Sequence, residues 1–191
     1  MSVVKRGPAI GLFGGSFNPA HAGHMHVARA GLRELQLDRV WWLVSPQNPL
    51  KPAQPPASQR AETIRALGLP HAMQISHAES ELGTRYTVDL LRALKARHPL
   101  TRFVLIIGAD NLLQMPLWRE WQTIARLVPI AVIARPGTSL RSRLGQAARQ
   151  LAAHRIPEAQ AHTLKDCDPP AWSYLTLPLN GLSSSAIRAS T

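Results

Sequence analysis

Residues 10–26, with the sequence IGLFGGSFNPAHAGHMH, constrain the fold of this chain more than any other stretch. Their apolar start predicts a buried strand over residues 9–13, and the pattern of residues 22–35 is typical of a helix. Between the two, Gly14 and Gly15 would let the backbone turn tightly and approach a ligand closely. A strand, a tight turn and a helix in this order direct backbone N–H groups and a helix N-terminus toward one point. The segment therefore predicts an anion-binding site.

Two histidines, His21 and His24, stand beside this predicted site. The commoner glycine motifs do not fit, because Phe13 replaces the second glycine of GxGxxG and no Gly-Lys-Ser/Thr follows for a P-loop. Zinc binding is disfavoured, because Cys167 is the only cysteine and neither HExxH nor CxxC is present. Contact with a phosphate is the favoured interpretation for both histidines, and helix capping or core packing remains open.

The length and charge of the chain set limits on its class. A length of 191 residues predicts one domain, residues 1–191, with a substantial core. The formal net charge of +11 calls for an anionic partner, but the basic residues are spread without a dense tract and no RNA-binding signature occurs. Small phosphorylated substrates are therefore favoured over nucleic acid. With no membrane-length apolar run, no signal peptide and one cysteine, we expect no membrane association and a cytoplasmic location. A homo-oligomer is left open.

Strand and helix patterns alternate along the chain, which predicts an α/β fold with a doubly wound, Rossmann-like parallel sheet flanked by helices. Ligands of such sheets bind at the carboxyl ends of the strands, so the loops there are candidate binding segments. Further strands are expected at residues 39–45, 73–76, 102–107, 129–134, 162–164 and 172–177. Helices are expected at residues 22–35, 58–67, 86–98 and 140–153, and a helix after Pro116 is expected to include residues 118–121.

Three later segments place polar side chains where a ligand could bind. Lys51 lies in a proline-rich loop after the second strand, as a candidate phosphate-binding cation or a solvated lysine. Asp110 follows Gly108 after the most apolar strand, where its carboxylate would accept hydrogen bonds from a ribose or adenine, or cap the next helix. The serines at 183–185 precede a predicted helix that contains Arg188, which indicates a second anion site or an ordinary helix cap.

The motif GGSFNPAHAGH resembles the signature of the nucleotidylyltransferase superfamily, whose HxGH element is shared with class I aminoacyl-tRNA synthetases. Within that superfamily, the chain is most similar to the bacterial nicotinate mononucleotide adenylyltransferase family. The later segments that resemble this family are RYTVDLL, Gly-Ala-Asp at 108–110, Trp-x-x-Trp at 118–121, ARPG at 134–137 and SSSAIR at 183–188.

The resemblance implies roles for individual residues. It implies that the acceptor's pyridine ring lies against the Tyr-Thr segment and stacks on the first indole of Trp-x-x-Trp. The implied ATP-binding residues are Gly14, Gly15, Ser16, Phe17, His24, Gly108, Asp110, Arg135, Ser183, Ser184, Ser185 and Arg188. The implied acceptor-binding residues are Ser16, His21, Lys51, Tyr86, Thr87 and Trp118. The implied catalytic residues are His21, His24, Lys51 and Arg188.

The implied reaction is attack by the phosphate of nicotinate mononucleotide on the α-phosphorus of ATP, giving nicotinate adenine dinucleotide and pyrophosphate in NAD biosynthesis. Such chemistry needs mainly alignment of two anions and neutralisation of charge. Mg²⁺ is expected with ATP and held mainly by its phosphates, because no carboxylate cluster is evident. Two alternatives stay open: adenylyl or cytidylyl transfer to another phosphorylated acceptor, such as phosphopantetheine or glycerol phosphate, and a non-catalytic basic nucleic-acid-binding protein. A tRNA synthetase is disfavoured, because the chain lacks KMSKS and room for an anticodon-binding part.

Overall fold

The structure, a computed structural model, describes residues 7–45, 53–134 and 139–176. In these ranges seven strands form one sheet, and all of their pairings are parallel. The strands are β1 Ala9–Gly15, β2 Arg39–Val44, β3 Met73–Ser76, β4 Arg102–Gly108, β5 Ile130–Ile133, β6 Arg155–Ile156 and β7 Trp172–Leu175. Their order across the sheet is β3-β2-β1-β4-β5-β7-β6.

Helices cover both faces of this sheet. The α-helices of the described ranges are α1 Ala22–Glu34, α2 Ala57–Arg65, α3 Ala78–Glu81, α4 Thr87–Arg97, α5 Ala109–Gln114, α6 Trp121–Leu127, α7 Ser139–Arg143 and α8 Gln146–Gln150. Three 3₁₀ helices cover Met115–Leu117, Ala152–His154 and Glu158–Asp166. Helices α1, α2 and the last 3₁₀ helix pack on one face of the sheet, and α4, α5, α6 and α8 pack on the other. The predicted doubly wound α/β fold is confirmed.

The two central strands explain why the sheet is buried on both sides. Along β1, Ile10 and Leu12 belong to the core on the α4 face, whereas Ala9 and Phe13 belong to the core on the α1 face. The neighbouring strand β4 is apolar throughout its interior, and its five residues from Phe103 to Ile107 are at most 4% exposed. A continuous apolar run of this kind is what a parallel strand with two covered faces requires.

Three local predictions are wrong. Trp118 does not lie on a helix: the 3₁₀ turn ends at Leu117, Trp118 is extended, and α6 begins only at Trp121. The helix expected at 140–153 is divided into α7 and α8 at Gly145, where the backbone is extended. The strand expected at 162–164 lies in the 3₁₀ helix Glu158–Asp166, while the short strand that precedes it, β6, was not predicted.

The strand order reverses between β1 and β4. From β1 the chain moves outward through β2 to β3, then returns to β4 on the other side of β1 and continues to β5. Loops that leave the carboxyl ends of β1 and β4 therefore separate to opposite faces and leave a crevice between them, which is where open α/β sheets bind ligands. In the described ranges, no helix is both long enough and apolar enough to cross a membrane.

Candidate active site

The loop after β1 contains most of the motif that opens the sequence, and one side chain anchors it. Phe17 adopts a left-handed conformation with φ of 47°, and its ring is 1% exposed. The ring packs edge-on against Phe13 at 5.4 Å and against His24 at 5.2 Å, and lies 5.1 Å from the ring of Trp42. Phe17 was expected to bind ATP. Its side chain is instead part of the core, so only its backbone is available to a ligand.

The turn itself is not at the two glycines. Gly14 and Gly15 are the last residues of β1, paired in register with Leu43 and Val44 of β2. The backbone leaves the strand after them and turns at Phe17. The expectation that these glycines form the turn is therefore wrong, although both lie at the carboxyl edge of the sheet, beside the crevice.

His21 and His24 form a pair at the start of α1. The backbone N–H of Gly23 donates to Nδ1 of His21 at 3.1 Å, and the backbone N–H of His21 donates to Nδ1 of His24 at 3.3 Å. The two rings are 3.9 Å apart between centroids, and both side chains are buried. An Nδ1 that accepts a hydrogen bond has no proton, so each neutral ring has its proton on Nε2. The pair thus caps the helix through Nδ1 and has an N–H donor at each Nε2.

Asp110 lies on the opposite side of the crevice, in the first turn of α5 directly after β4. The residue is half-buried, and its Oδ1 is buried with no hydrogen-bond partner among the described residues. Buried polar oxygens nearly always have a partner, so an acceptor of this kind at a strand's carboxyl end fits a hydroxyl or amino group of a ligand. Gly108 supplies the extended residue that precedes α5. Both residues lie at the carboxyl end of β4, and their contacts with ATP stay predictions.

Two of the predicted acceptor-binding residues, Tyr86 and Thr87, lie at the start of α4, which runs from the carboxyl edge of the sheet back toward the start of β4. The N–H groups of Asp89 and Leu90 both donate to the carbonyl of Tyr86 at 3.1 Å, so the hydrogen bonding of the helix begins there. The N–H groups of Thr87 and Val88 come before that point and have no acceptor within the helix. The side chain of Tyr86 is 38% exposed. This helix end can therefore donate to an anion.

A charged network joins the start of α4 to the turn that holds Trp118. The guanidinium of Arg119 lies 4.9 Å from the centre of the Tyr86 ring and 3.6 Å from Asp89. Arg92 donates to Glu120 at 2.6 Å, and this hydrogen bond lowers the pKa of the Glu120 carboxyl. The adjacent Trp118 is half-buried against the core. The structure thus brings Arg119, the residue directly after Trp118, into contact with the Tyr86 ring, and the role of Trp118 in binding the acceptor stays a prediction.

The remaining predicted site residues lie outside the described residues. They are Lys51, Arg135, Ser183, Ser184, Ser185 and Arg188. Their proposed roles stay predictions. The strands that precede Lys51 and Arg135 along the chain, β2 and β5, both end at the carboxyl edge of the sheet.

One residue of this region was missed from the sequence. Arg60 of α2 is only 1% exposed, and its guanidinium donates to the carbonyl of Ser16 in the motif loop. Glu79 interacts electrostatically with Arg60; burial raises the pKa of the Glu79 carboxyl to about 7, and the charge of Arg60 opposes that rise. The sequence did contain a signal, because Arg60 falls on the same helix face as the buried Ala61 and Ile64.

A parallel doubly wound sheet with a histidine pair and a half-buried carboxylate at the switch point is typical of nucleotide-binding enzymes. In agreement, residues 12–190 match the family model described as cytidylyltransferase-like. The chain is 50% identical over 181 residues to a probable nicotinate-nucleotide adenylyltransferase of a Caulobacter species, covering 94% of this chain and 96% of the relative. A protein of the same description from Cereibacter sphaeroides is 51% identical over 183 residues, covering 94% and 96%.

Among solved structures, the Plasmodium falciparum nicotinic acid mononucleotide adenylyltransferase complexed with NaAD superposes with a TM-score of 0.74. It is 18% identical, and the match covers 96% of this chain and 83% of that one, so it shows the shared fold. The relatives at about half identity and the family model place the protein: it belongs to the nicotinate-nucleotide adenylyltransferase family within the cytidylyltransferase-like group.

Proposed function

We propose that the protein transfers the adenylyl group of ATP to nicotinate mononucleotide, giving nicotinate adenine dinucleotide and pyrophosphate. The names of its relatives support this activity. The structural observation that carries the proposal is the pairing of His21 with His24, with both rings buried beside the crevice and both Nδ1 atoms used by backbone N–H groups. Two Nε2–H donors held in this way suit a site for phosphate oxygens.

The chemistry needs little from the protein beyond alignment and charge stabilisation. An oxygen of the acceptor's phosphate forms a bond to the α-phosphorus of ATP, and the bond from that phosphorus to the oxygen of the β-phosphate breaks. Pyrophosphate leaves with the electron pair. Nucleophile and leaving group are both ionised phosphates near neutral pH, so no general base is required. His21 and His24 donate from Nε2 to oxygens on which charge develops in the transition state.

The acceptor's pyridine ring is proposed to bind between the start of α4 and Trp118. The N–H groups of Thr87 and Val88 would donate to its carboxylate, because a helix N-terminus favours a negative group. The indole of Trp118 would stack on the ring. Arg119 and the Tyr86 ring, 4.9 Å apart, hold this turn against the helix.

The phosphate contacts proposed for residues outside the described ranges rest on the sequence motifs. Arg188 and the serines at 183–185 are proposed to bind the β- and γ-phosphates of ATP. Lys51 is proposed to bind a phosphate of either substrate. Arg135 would contact the ATP phosphates or the loop beside it.

Mg²⁺ is proposed to bind on the phosphates of ATP, where it would neutralise the charge of the leaving pyrophosphate. The chemistry of the site fits this placement, because the histidine rings are donors at Nε2 and not metal ligands. Residues 7–45, 53–134 and 139–176 contain no group of three or more His, Cys, Asp or Glu that could hold a metal ion.

We further propose that residues 1–191 form a single domain and that the protein acts in the cytoplasm. The lone Cys167 supports the compartment, because a single cysteine cannot form an internal disulfide.

The decisive experiment is a measurement of pyrophosphate release with ATP and Mg²⁺ against a panel of phosphorylated acceptors. Nicotinate mononucleotide should be the best acceptor, and chelation of the metal should abolish turnover. Turnover with phosphopantetheine or glycerol phosphate alone would move the protein to another activity of the superfamily. Silence with every acceptor, together with salt-dependent binding to random DNA, would favour a nucleic-acid-binding protein instead.

A further inference from the structure

Helix α2 lies against the loop that leads from β1 to α1. It contributes two side chains to this loop, Arg60 and Thr63, which are separated by about one turn of the helix. The loop ends at His21, the residue that caps α1. The contacts of α2 therefore act on the segment that places the histidine pair.

Arg60 binds three backbone carbonyls at once. Its Nε donates to Pro55 at 2.9 Å, one terminal nitrogen donates to Ser16 at 2.6 Å, and the other terminal nitrogen donates to Ser45. Ser16 and Ser45 directly follow the neighbouring strands β1 and β2. A single buried guanidinium thus fixes the carboxyl ends of two strands relative to α2.

Thr63 holds the other end of the same loop. Its hydroxyl oxygen accepts the backbone N–H of Ala20 at 3.0 Å and donates to the carbonyl of Arg60 at 2.7 Å. Ala20 directly precedes His21, so a shift of Ala20 moves the backbone of the helix cap. Arg60 at Ser16 and Thr63 at Ala20 therefore restrain the loop at both ends.

We propose that Arg60 is a positioning residue for adenylyl transfer, assisted by Thr63: α2 holds the loop 16–20 so that the Nε2 atoms of His21 and His24 meet the reacting phosphates. The proposal rests on the proposed function of this site. Preorganised donors lose much of their effect when they are displaced by about 1 Å, so a residue that fixes them controls the catalytic rate without touching a substrate.

The chemistry of arginine explains why another cation cannot replace it. The guanidinium has five N–H donors in a fixed plane, which can reach three carbonyls in different directions. Lysine keeps the positive charge near Glu79 but offers a compact ammonium on a flexible stem. Arg60→Lys therefore keeps the positive charge of this residue and removes the planar set of donors that reaches the three carbonyls.

The test compares steady-state kinetics of Arg60→Lys and wild type, well below their melting temperatures. We expect kcat to fall by about tenfold or more, with KM for both substrates changed less than about threefold, because the donors act in the transition state. Arg65→Lys is the matched control: Arg65 lies on the same helix, is exposed and pairs with Glu62. It should leave kcat unchanged. A kcat of Arg60→Lys within twofold of wild type would overturn the proposal.

A second pair of variants covers the case in which Arg60→Lys does not fold. Thr63→Val removes the hydroxyl with little change in shape and should lower kcat severalfold. Thr63→Ser keeps the hydroxyl and should retain a kcat close to that of wild type. Equal kcat for the two variants would contradict the role of this helix.

An activity-free measurement separates this proposal from the proposed function. The imidazole resonances of His21 and His24 in the NMR spectrum should shift in Arg60→Lys and Thr63→Val, and not in Arg65→Lys. If wild type turned over no acceptor, the proposed function would fail and the positioning role in catalysis would fall with it, whatever the spectra showed. If wild type were active and the resonances did not move, only the positioning role would fail.

Discussion

A Cβ atom added to Gly15 would lie 2.8 Å from two carbons of the Phe17 ring. The ring has no room to withdraw, because it is packed against Phe13, His24 and Trp42. The glycine at this position is therefore required by the packing of the side chain two residues later. In contrast, a Cβ at Gly14 would have no heavy atom within 4 Å among the described residues.

Gly15→Ala should accordingly destabilise the protein by about 1–3 kcal/mol, the usual cost of overpacking a buried site. Unfolding in urea measures the change. In a Phe17→Leu background, where the side chain is smaller, the same substitution should cost less, with a coupling of at least about 0.5 kcal/mol. Gly14→Ala is the matched control and should leave the free energy of unfolding within about 0.5 kcal/mol of wild type. Equal costs at the two glycines would contradict this account of the loop.

The histidine pair allows helix capping and catalysis to be separated at one position. His24→Asn keeps an acceptor near the position of Nδ1 and removes the Nε2 donor. His24→Gln keeps an N–H donor near the position of Nε2 and removes the acceptor that caps His21 N–H. Asn should lower kcat by about 10²-fold or more with little change in melting temperature. Gln should retain more of kcat and lose about 1 kcal/mol of stability. A larger loss of kcat in His24→Gln than in His24→Asn would assign His24 to structure alone.

Glu79 should make stability depend on pH in a direction opposite to that of most carboxylates. Burial raises its pKa from 4.5 to about 7, so the folded state binds this proton more tightly than the unfolded chain does. The protonated Glu79 carboxyl therefore adds to the free energy of unfolding. This addition is fully present below pH 4.5 and is lost as the pH rises through 7. The loss is at most about 3–4 kcal/mol, from about 1.4 kcal/mol for each pKa unit of the rise from 4.5 to about 7.

Glu79→Gln should remove this dependence. The variant should be more stable than wild type at pH 8, with a smaller difference at pH 5, as measured by urea unfolding at both values. Glu62→Gln is the control, because Glu62 is an exposed carboxyl on α2 and should give the same difference at both pH values. A constant difference between wild type and Glu79→Gln would show that Glu79 does not titrate in this range.

The fold, and the place of the histidine pair at the start of a helix, could be predicted from the sequence because their signals are local. Alternation of apolar strands with amphipathic helices is sufficient for a doubly wound sheet, and the motif around His21 and His24 is contiguous in the chain. Trp118 was assigned to a helix because residues 115–121 contain no breaker after Pro116, and the left-handed Glu120 that separates the two helices has no signature in sequence.

Arg60 was missed for a different reason. Arginine side chains are mostly exposed in folded proteins, and the three carbonyls that bind this guanidinium come from separate parts of the chain. The sequence shows side-chain types and spacing, but it does not show where backbone carbonyls of three segments converge. For the same reason the raised pKa of Glu79, which depends on burial and on Arg60, could not be predicted.

The charges around the start of α4 determine how the site should treat two related acceptors. Asp89 places a negative charge in the first turn, where it would repel a carboxylate, but Arg92 and Arg119 lie 3.5 and 3.6 Å from its oxygens. Glu120 in turn pairs with Arg92. Two carboxylates and two guanidinium groups leave this network near neutrality, so the N–H donors of the helix end decide the preference.

The enzyme should prefer nicotinate over nicotinamide mononucleotide by at least about tenfold in kcat/KM. A carboxylate accepts hydrogen bonds from the N–H groups of Thr87 and Val88, whereas an amide would turn its own NH₂ toward one of them, and hydrogen bonds to a charged group are worth about 1.5–3 kcal/mol. Stacking on Trp118 holds both rings equally and does not discriminate between them. Asp89→Asn should increase the preference further, because it removes the charge that opposes the carboxylate. Kinetics with the two mononucleotides measure both effects, and equal kcat/KM values in wild type would refute the placement of the pyridine carboxylate at this helix end.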